Sequence, residues 1–175
     1  PQIAYFFNFS RNSCLSIFCA DTCQKAAEYV SPFIPPERFA LIATALCWMF
    51  KTVDGDPTLL GWEHKGPGLI FAKRVIETDY PRIYDSEAHL GLGGGKAGSR
   101  VPGWNPTNDN KRQILDSYQA ALDRRQCVNQ SELALKECLG YRRNAQGDIE
   151  HPHDVKADDP SGARFNHGDR VIADA

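Results

Sequence analysis

The chain has 175 residues, of which 42% are hydrophobic, and its formal net charge is -2 at neutral pH. A mean hydropathy of -0.44, with the longest apolar-leaning run confined to residues 39–50, argues against a membrane-spanning segment. The length predicts one domain with its own core, and the charge excludes a strongly basic nucleic-acid-coating protein while leaving room for a local basic surface.

The first half of the chain predicts a hairpin set of strands followed by alternating helices and strands. Three apolar, β-rich segments within the first thirty residues, IAYFFNF, CLSIFCA and KAAEYVSPF, predict antiparallel strands. PPERFALIATALCWMFKTV predicts a helix, because it opens with proline and an early glutamate and places its apolar residues on one face. After a DGDP turn, TLLGWE (58–63) predicts a short strand, GLIFAKRVIETDYP predicts a helix, and RIY (82–84) predicts a further strand.

The second half begins with a glycine-rich loop, residues 86–105. PTNDNKRQILDSYQAALDRRQCV and NQSELALKECLGY predict two helices, RRNAQGDIEHP predicts a hairpin around Gly147, and HGDRVIADA predicts a last helix. Strands that come first as a hairpin set and then alternate with helices predict a mixed sheet covered by helices. We therefore expect a single α/β domain over residues 1–175. Because the chain starts without Met and stops inside a helical pattern, we expect it to be part of a longer protein.

Three motif-like stretches are poorly specific. The glycine run GLGGGKAGS lacks the Ser or Thr that follows the lysine of a phosphate-binding loop, so a plain loop is the better interpretation. IEHPHD places two histidines beside acids, but no cysteine lies near it to complete a zinc site. The six cysteines contain no CxxC pair, and we expect them to be reduced.

Two acidic residues are better candidates for chemistry. Glu63 ends a predicted buried strand, and Asp169 lies at the start of the last helix, between His167 and Arg170. Each acid alone has an ordinary interpretation: Glu63 as the ion-pair partner of a nearby base such as Lys65, and Asp169 as a partner of the helix dipole. If folding brings the two together, they supply the oxygen ligands that Mg²⁺ prefers and that metal-dependent phosphodiester hydrolysis uses.

Four segments, in order and spacing, resemble the C-terminal nuclease domain of the large terminase subunit of tailed bacteriophages. They are GWEHKGPGLIFAKRVIETDYPRIY, VPGWNPTNDNKRQILDSYQAAL, SELALKECLGYRRNAQGDIEHP and DPSGARFNHGDRVIADA. The resemblance covers most of residues 12–175. It implies an RNase H-like fold, which is a mixed β-sheet flanked by α-helices with acids at one sheet edge.

The resemblance also implies an activity. Such a domain is a magnesium- or manganese-dependent endonuclease, with two ions, that cuts concatemeric double-stranded DNA during viral DNA packaging in the host cytoplasm. The ATPase motor domain of the family would precede residue 1, which agrees with the missing phosphate-binding loop. The small terminase subunit and the portal are implied partners, and no membrane is involved.

The acids of the family match this sequence in two places out of three. The acid on the strand after the hairpin set matches Glu63, and the acid near the start of the last helix matches Asp169. Both are therefore expected to bind metal and to be catalytic, with His167 orienting a water or the phosphate. The third acid of the family is expected on the first strand, near Ile3, but residues 1–13 contain no acid, and Asn8 lacks the charge.

The missing acid leaves alternatives open. The chain is either an active nuclease or a catalytically weak or inactive RNase H-like module for DNA docking and motor coupling. Another RNase H-like enzyme, such as a resolvase or a transposase, is a third possibility. Contacts with DNA phosphates are expected from the basic residues nearest the candidate site loops, and no base-reading motif is present. These residues are Lys65, Lys96, Arg100, Arg142, Arg143 and Arg170.

Overall fold

A computed structural model describes residues 2–7, 12–85, 102–145, 147, 149–151, 155–156, 165–166 and 168–175. Its centre is a four-stranded mixed sheet with the order β3-β2-β1-β4. The strands are β1 (Gln2–Phe7), β2 (Ser13–Cys19), β3 (Gln24–Ser31) and β4 (Leu59–Trp62). The first three form an antiparallel meander, and β4 runs parallel to β1. The predicted hairpin set and the predicted strand after it are thus confirmed.

Within the described residues, five helices pack around this sheet, at the places where the sequence predicts them. They are α1 (Pro36–Met49), α2 (Pro67–Glu77), α3 (Asn108–Asp123), α4 (Glu132–Cys138) and α5 (Asp169–Asp174). Helices α1 and α2 begin at prolines, which need no backbone hydrogen-bond partner there. Helix α3 begins with a capping box between Thr107 and Asn110, and the Ser131 side chain caps α4.

Shorter elements complete the described part. Strand β5 (Arg142–Arg143) pairs with β6 (Ile149–Glu150), which confirms the predicted hairpin around Gly147. Strand β7 (Val155–Lys156) pairs with β8 (Phe165–Asn166). The predicted RIY strand is reduced to one bridge between Ile83 and Leu60, on the edge of β4 that does not pair with β1. Residues 86–101 of the predicted glycine-rich loop lie outside the described residues.

Side chains of β2 contact a hydrophobic layer on each face of the sheet, as expected for a central strand covered on both sides. Leu15 and Ile17 belong to the larger core, which includes α1, α2 and β4. Phe18 belongs to a second cluster with side chains of α3 and α5, and Cys14 packs with Ala173 of α5. Within the described residues, no helix has the length and apolar character needed to cross a bilayer.

Candidate active site

The backbone on both sides of β4 fixes the position of Glu63. Glu63 comes directly after β4 and forms a parallel bridge with Trp104. The Trp104 amide donates to the Trp62 carbonyl at 2.6 Å, and the His64 amide donates to the Trp104 carbonyl at 2.7 Å. Because successive strand residues point to opposite faces, Glu63 faces away from the core that buries Trp62 and towards the layer of α3 and α5.

A glycine allows this close approach. Gly103 has a φ of +104°, and a Cβ atom there would lie 2.8 Å from the Trp62 carbonyl oxygen. A side chain at this position would therefore be strained and would clash with the strand. Gly103 thus lets the segment before α3 lie against β4 and support Glu63.

Asp169 approaches the same region from α5. It is the first residue of that helix, and its Oδ2 accepts a hydrogen bond of 2.9 Å from Nδ2 of Asn12. Asn12 precedes β2 and is only 5% exposed. Burial raises the pKa of Asp169 to about 6, although the Asn12 hydrogen bond and the charges of Arg170 and Lys111 oppose the shift. Asp169 is thus a largely desolvated carboxyl group that a buried amide holds.

Glu63 and Asp169 share one electrostatic environment. Burial raises the pKa of Glu63 to about 7, Lys65 and Lys111 oppose that rise, and the negative charge of Asp169 adds to it. Lys111, in the first turn of α3, thus acts on both carboxylates. Folding has brought the two predicted acids within electrostatic range of each other, with Lys65, Lys111 and Arg170 supplying positive charge nearby.

The donor chemistry of this site fits a hard divalent cation. The candidate donor atoms are carboxylate oxygens with a carboxamide beside them, and such atoms suit Mg²⁺ or Mn²⁺ better than a soft metal. Among the described residues, no group of three or more His, Cys, Asp or Glu side chains is placed to hold a metal ion. Ile3, near which the resemblance places the third acid, pairs with Leu59, at the opposite end of β4 from Glu63.

Of the basic residues predicted to contact DNA, three lie on the described surface. The Lys65 ammonium donates to the Pro106 carbonyl at 2.6 Å and stays exposed near Glu63. Arg142 and Arg143 are exposed on β5 and lie near carboxylates, with Arg142 Nε 3.5 Å from Glu150 and Arg143 Nη2 2.6 Å from Asp116.

The prediction for Arg170 needs correction. Its side chain is 4% exposed and forms ion pairs with Glu28 and Glu137, so it is not available to a DNA phosphate. Three other predicted residues, His167, Lys96 and Arg100, lie outside the described residues.

Sequence reasoning missed Asn12 and Lys111. Neither belongs to a local motif, since Asn12 occupies the gap before a strand and Lys111 lies in the first turn of an ordinary capped helix. Their relation to Asp169 arises only from the packing of α3 and α5 against the sheet.

Comparison with known proteins gives a fold match without a sequence match. No protein-family model and no curated protein sequence matches the chain. The large terminase nuclease from thermophilic phage G20c aligns over 99% of this chain and 78% of its own. The identity is 14% with a TM-score of 0.66 for the structure with bound cobalt, and 15% with a TM-score of 0.64 for that with bound magnesium.

A second phage protein has the same fold. The mutant nuclease domain of the large terminase subunit of bacterial virus Sf6, with manganese and beta-thujaplicinol, aligns over 99% of this chain and 86% of its own. The identity is 12% and the TM-score is 0.58. The chain therefore has the fold of large terminase nuclease domains, and the resemblance inferred from the sequence is confirmed at the level of the fold.

Proposed function

We propose that this chain, whose fold is that of phage large terminase nuclease domains, is a metal-dependent endodeoxyribonuclease of a viral DNA-packaging machine. The observation that carries the proposal is the convergence of Glu63, directly after β4, and Asp169, the first residue of α5, at a place where burial raises the pKa of both carboxyl groups. Solved structures with this fold include ones with bound magnesium or cobalt, and one with manganese. The proposed substrate is concatemeric double-stranded DNA, and the proposed cofactor is Mg²⁺ or Mn²⁺.

Each site residue has a proposed role. Glu63 and Asp169 hold the cation, which when bound polarises the scissile phosphate and lowers the pKa of the attacking water. Asn12 orients the Asp169 carboxylate through the hydrogen bond to Oδ2. Lys65 and Lys111 place positive charge beside the carboxylates, where a DNA phosphate would also lie. His167 is proposed to orient a water or the phosphate.

The proposal extends to two ions and to an RNase H-like architecture. Mg²⁺ sites commonly combine one or two carboxylates with oxygens of the substrate phosphate, so DNA itself would complete the ligand set of a two-ion site. An antiparallel β3-β2-β1 meander followed by a parallel β4 supports the RNase H-like assignment. The proposed DNA contacts are Lys65, Lys96, Arg100, Arg142 and Arg143. An ATPase motor domain, a small terminase subunit and a portal in the host cytoplasm are the proposed partners.

A plasmid-nicking assay with Mn²⁺ tests this function. Glu63→Gln and Asp169→Asn each remove one proposed ligand, and we expect each to slow cleavage at least about a hundredfold, equivalent to about 2.7 kcal/mol. The matched control is Glu77→Gln, which removes an exposed carboxylate of α2 and is expected to cut like the parent. Equal cleavage by all four proteins would contradict the assignment of the site.

A second candidate function has its own supporting observation. Residues 1–13 contain no acid, and the described residues contain no group of three potential ligands. A catalytically weak or inactive DNA-docking and motor-coupling module fits this two-carboxylate site. Salt-dependent binding of duplex DNA, without cleavage across a wide range of Mn²⁺ concentrations, would favour this module over the nuclease.

A further inference from the structure

The backbone on both sides of Asp169 is bound to one short segment of the chain. On one side, the Gly168 carbonyl accepts a hydrogen bond of 3.0 Å from the Tyr141 hydroxyl. On the other side, the Arg170 amide donates to Glu137 Oε2 at 3.0 Å. Glu137 is in α4 and Tyr141 follows it closely, so the end of α4 holds both neighbours of Asp169.

Gly168 makes this attachment tight. Its φ of +75° lies in the left-handed region, and a Cβ atom there would be 2.4 Å from the Tyr141 hydroxyl oxygen. The chain can therefore enter α5 beside Tyr141 only with glycine at this position. The direction in which Asp169 leaves the backbone is set by this turn.

The Arg170 side chain extends the same attachment to the sheet. Its Nη1 lies 2.8 Å from Glu137 Oε1, and its Nε lies 3.0 Å from Glu28 Oε1 on β3. The Arg170 and Glu137 side chains are 4% and 5% exposed. Buried ion pairs of this kind add little net stability compared with apolar packing, which favours a role in fixing one conformation.

We propose that Glu137, Tyr141 and Arg170, together called the Asp169 clamp, are positioning residues that preset the Asp169 carboxylate for binding a divalent cation. This inference rests on the proposed function, in which Asp169 is a metal ligand. Residues that orient a metal ligand without touching the metal typically change metal affinity or activity by about 10- to 100-fold when they are mutated. The clamp acts through the backbone of Gly168 and Arg170 and leaves the carboxylate itself free for the cation.

The other end of α5 offers a matched control. Asp174 accepts hydrogen bonds from Ser16 at 2.5 Å and from Asn129 at 2.6 Å, and it pairs with Lys25 at 2.7 Å. The Tyr118 hydroxyl also lies 3.3 Å from Asp174 Oδ2. This group is as buried as the clamp and contacts the last residue of the same helix, whereas the clamp contacts the residues that flank Asp169; Glu28 links the two groups through Lys25 and Arg170.

The decisive experiment compares two substitutions that each remove one hydroxyl from the same hydrophobic cluster, Tyr141→Phe and Tyr118→Phe. The dissociation constant of Mn²⁺ is measured by titration calorimetry, without DNA, well below the melting temperature of each protein. We expect Tyr141→Phe to weaken Mn²⁺ binding about tenfold and Tyr118→Phe to change it less than about twofold. Equal Mn²⁺ affinities for the two variants would overturn the proposed role of the clamp.

A second pair of variants measures the contribution of charge. Glu137→Gln is compared with Asp174→Asn, and the Mn²⁺ concentration giving half-maximal plasmid cleavage is recorded beside the calorimetric constant. Glu137→Gln is expected to raise the half-maximal Mn²⁺ concentration and the calorimetric dissociation constant about tenfold each. The cleavage rate at saturating Mn²⁺ is expected to stay within about threefold of the parent. A slow rate at saturation with unchanged affinity would overturn the clamp while leaving the proposed function intact. Absence of Mn²⁺ binding by the parent protein would contradict the metal site itself.

Discussion

Two clusters of buried charge lie on the same side of the sheet, and they are balanced differently. In the first, which we call the paired network, Lys25 and Arg170 face Glu28, Glu137 and Asp174, and each of these three carboxylates forms an ion pair. In the second, the candidate site, neither of the two carboxylates forms an ion pair within the described part of the chain. Neighbouring regions of one layer thus differ in whether their negative charge is neutralised internally.

The pKa values follow this contrast only for Glu28. Burial alone would raise the pKa of Glu28, but Lys25 and Arg170 bring it below its usual value. Burial raises the pKa of Glu63 to about 7, and the positive charges of Lys65 and Lys111 offset only part of this rise. Burial also raises the pKa of Glu137 to about 7, although Arg170 is bound to it, and it raises the pKa of Asp174, although Lys25 opposes the shift. The geometric contrast is the clearer one: the carboxylates of the paired network contact cationic side chains, whereas Glu63 and Asp169 form no ion pair within the described residues.

The largest effect is expected from breaking the paired network. Lys25→Met removes the cation that pairs with Asp174 at 2.7 Å and with Glu28, and it leaves Asp174 buried without an opposite charge. We expect the free energy of unfolding to fall by about 3–5 kcal/mol, measured by urea denaturation. The control is Arg74→Met, which breaks an exposed pair with Glu77 and should cost less than about 1 kcal/mol. Similar losses for both variants would mean that Lys25 has no special role.

A smaller effect is expected from adding charge to the candidate site. Asn12→Asp places a third carboxylate within hydrogen-bond distance of Asp169, since the Asn12 amide now lies 2.9 Å from its Oδ2. We expect a lower melting temperature in EDTA, because like charges are buried together, and Mn²⁺ binding about tenfold tighter than in the parent.

The shift in melting temperature on adding Mn²⁺ separates the repulsion between buried carboxylates from the gain in Mn²⁺ binding. It should be larger for Asn12→Asp than for the parent, and larger than for the isosteric control Asn129→Asp, because Asn129 donates to Asp174 of the paired network and not to Asp169. A variant that is destabilised in EDTA and is not rescued by Mn²⁺ would show that Asn12 does not face the cation.

Local sequence signals predicted most of the secondary structure and the positions of Glu63 and Asp169 at the ends of elements. Prolines at the first turns of α1 and α2 and the capping residues Thr107 and Ser131 mark helix starts that depend on the nearest few residues. Glu63 and Asp169 stand at element ends, and such positions are visible in the sequence as the place where an apolar pattern stops or starts. These features needed no knowledge of tertiary packing.

The partners of the site residues could not be predicted, because they come from elements far apart in the chain. Arg170 follows Asp169 in a polar stretch, and its burial depends on Glu28 of β3 and Glu137 of α4 meeting it there. Asn12 reaches Asp169 only because α5 packs against β1 and β2. The distinction between an internally paired carboxylate and one free for a cation is therefore a tertiary property that residue type and local spacing do not encode.

The smallest predicted effect is a pH-dependent gain in stability when Glu63 is neutralised. The folded-state pKa of Glu63, about 7, lies above the ordinary glutamate value of about 4.3, so ionisation destabilises the folded form. This penalty is complete above pH 7 and disappears as the pH falls through 7 towards 4.3. Glu63→Gln should thus be more stable than the parent in EDTA at pH 8, by about 1 kcal/mol because water screens a partly exposed carboxylate, and should lose this advantage by about pH 5.

Urea denaturation at both pH values measures this gain, and Glu77→Gln, an exposed site, should show no such crossover. Saturating Mn²⁺ at pH 8 should reverse the order, because a ligand that binds only the folded parent stabilises it by mass action and the variant has lost one carboxylate of the site. A Glu63→Gln advantage that persisted with Mn²⁺ would mean that the cation does not bind at Glu63, and the contrast between the two charge clusters would then reflect burial alone.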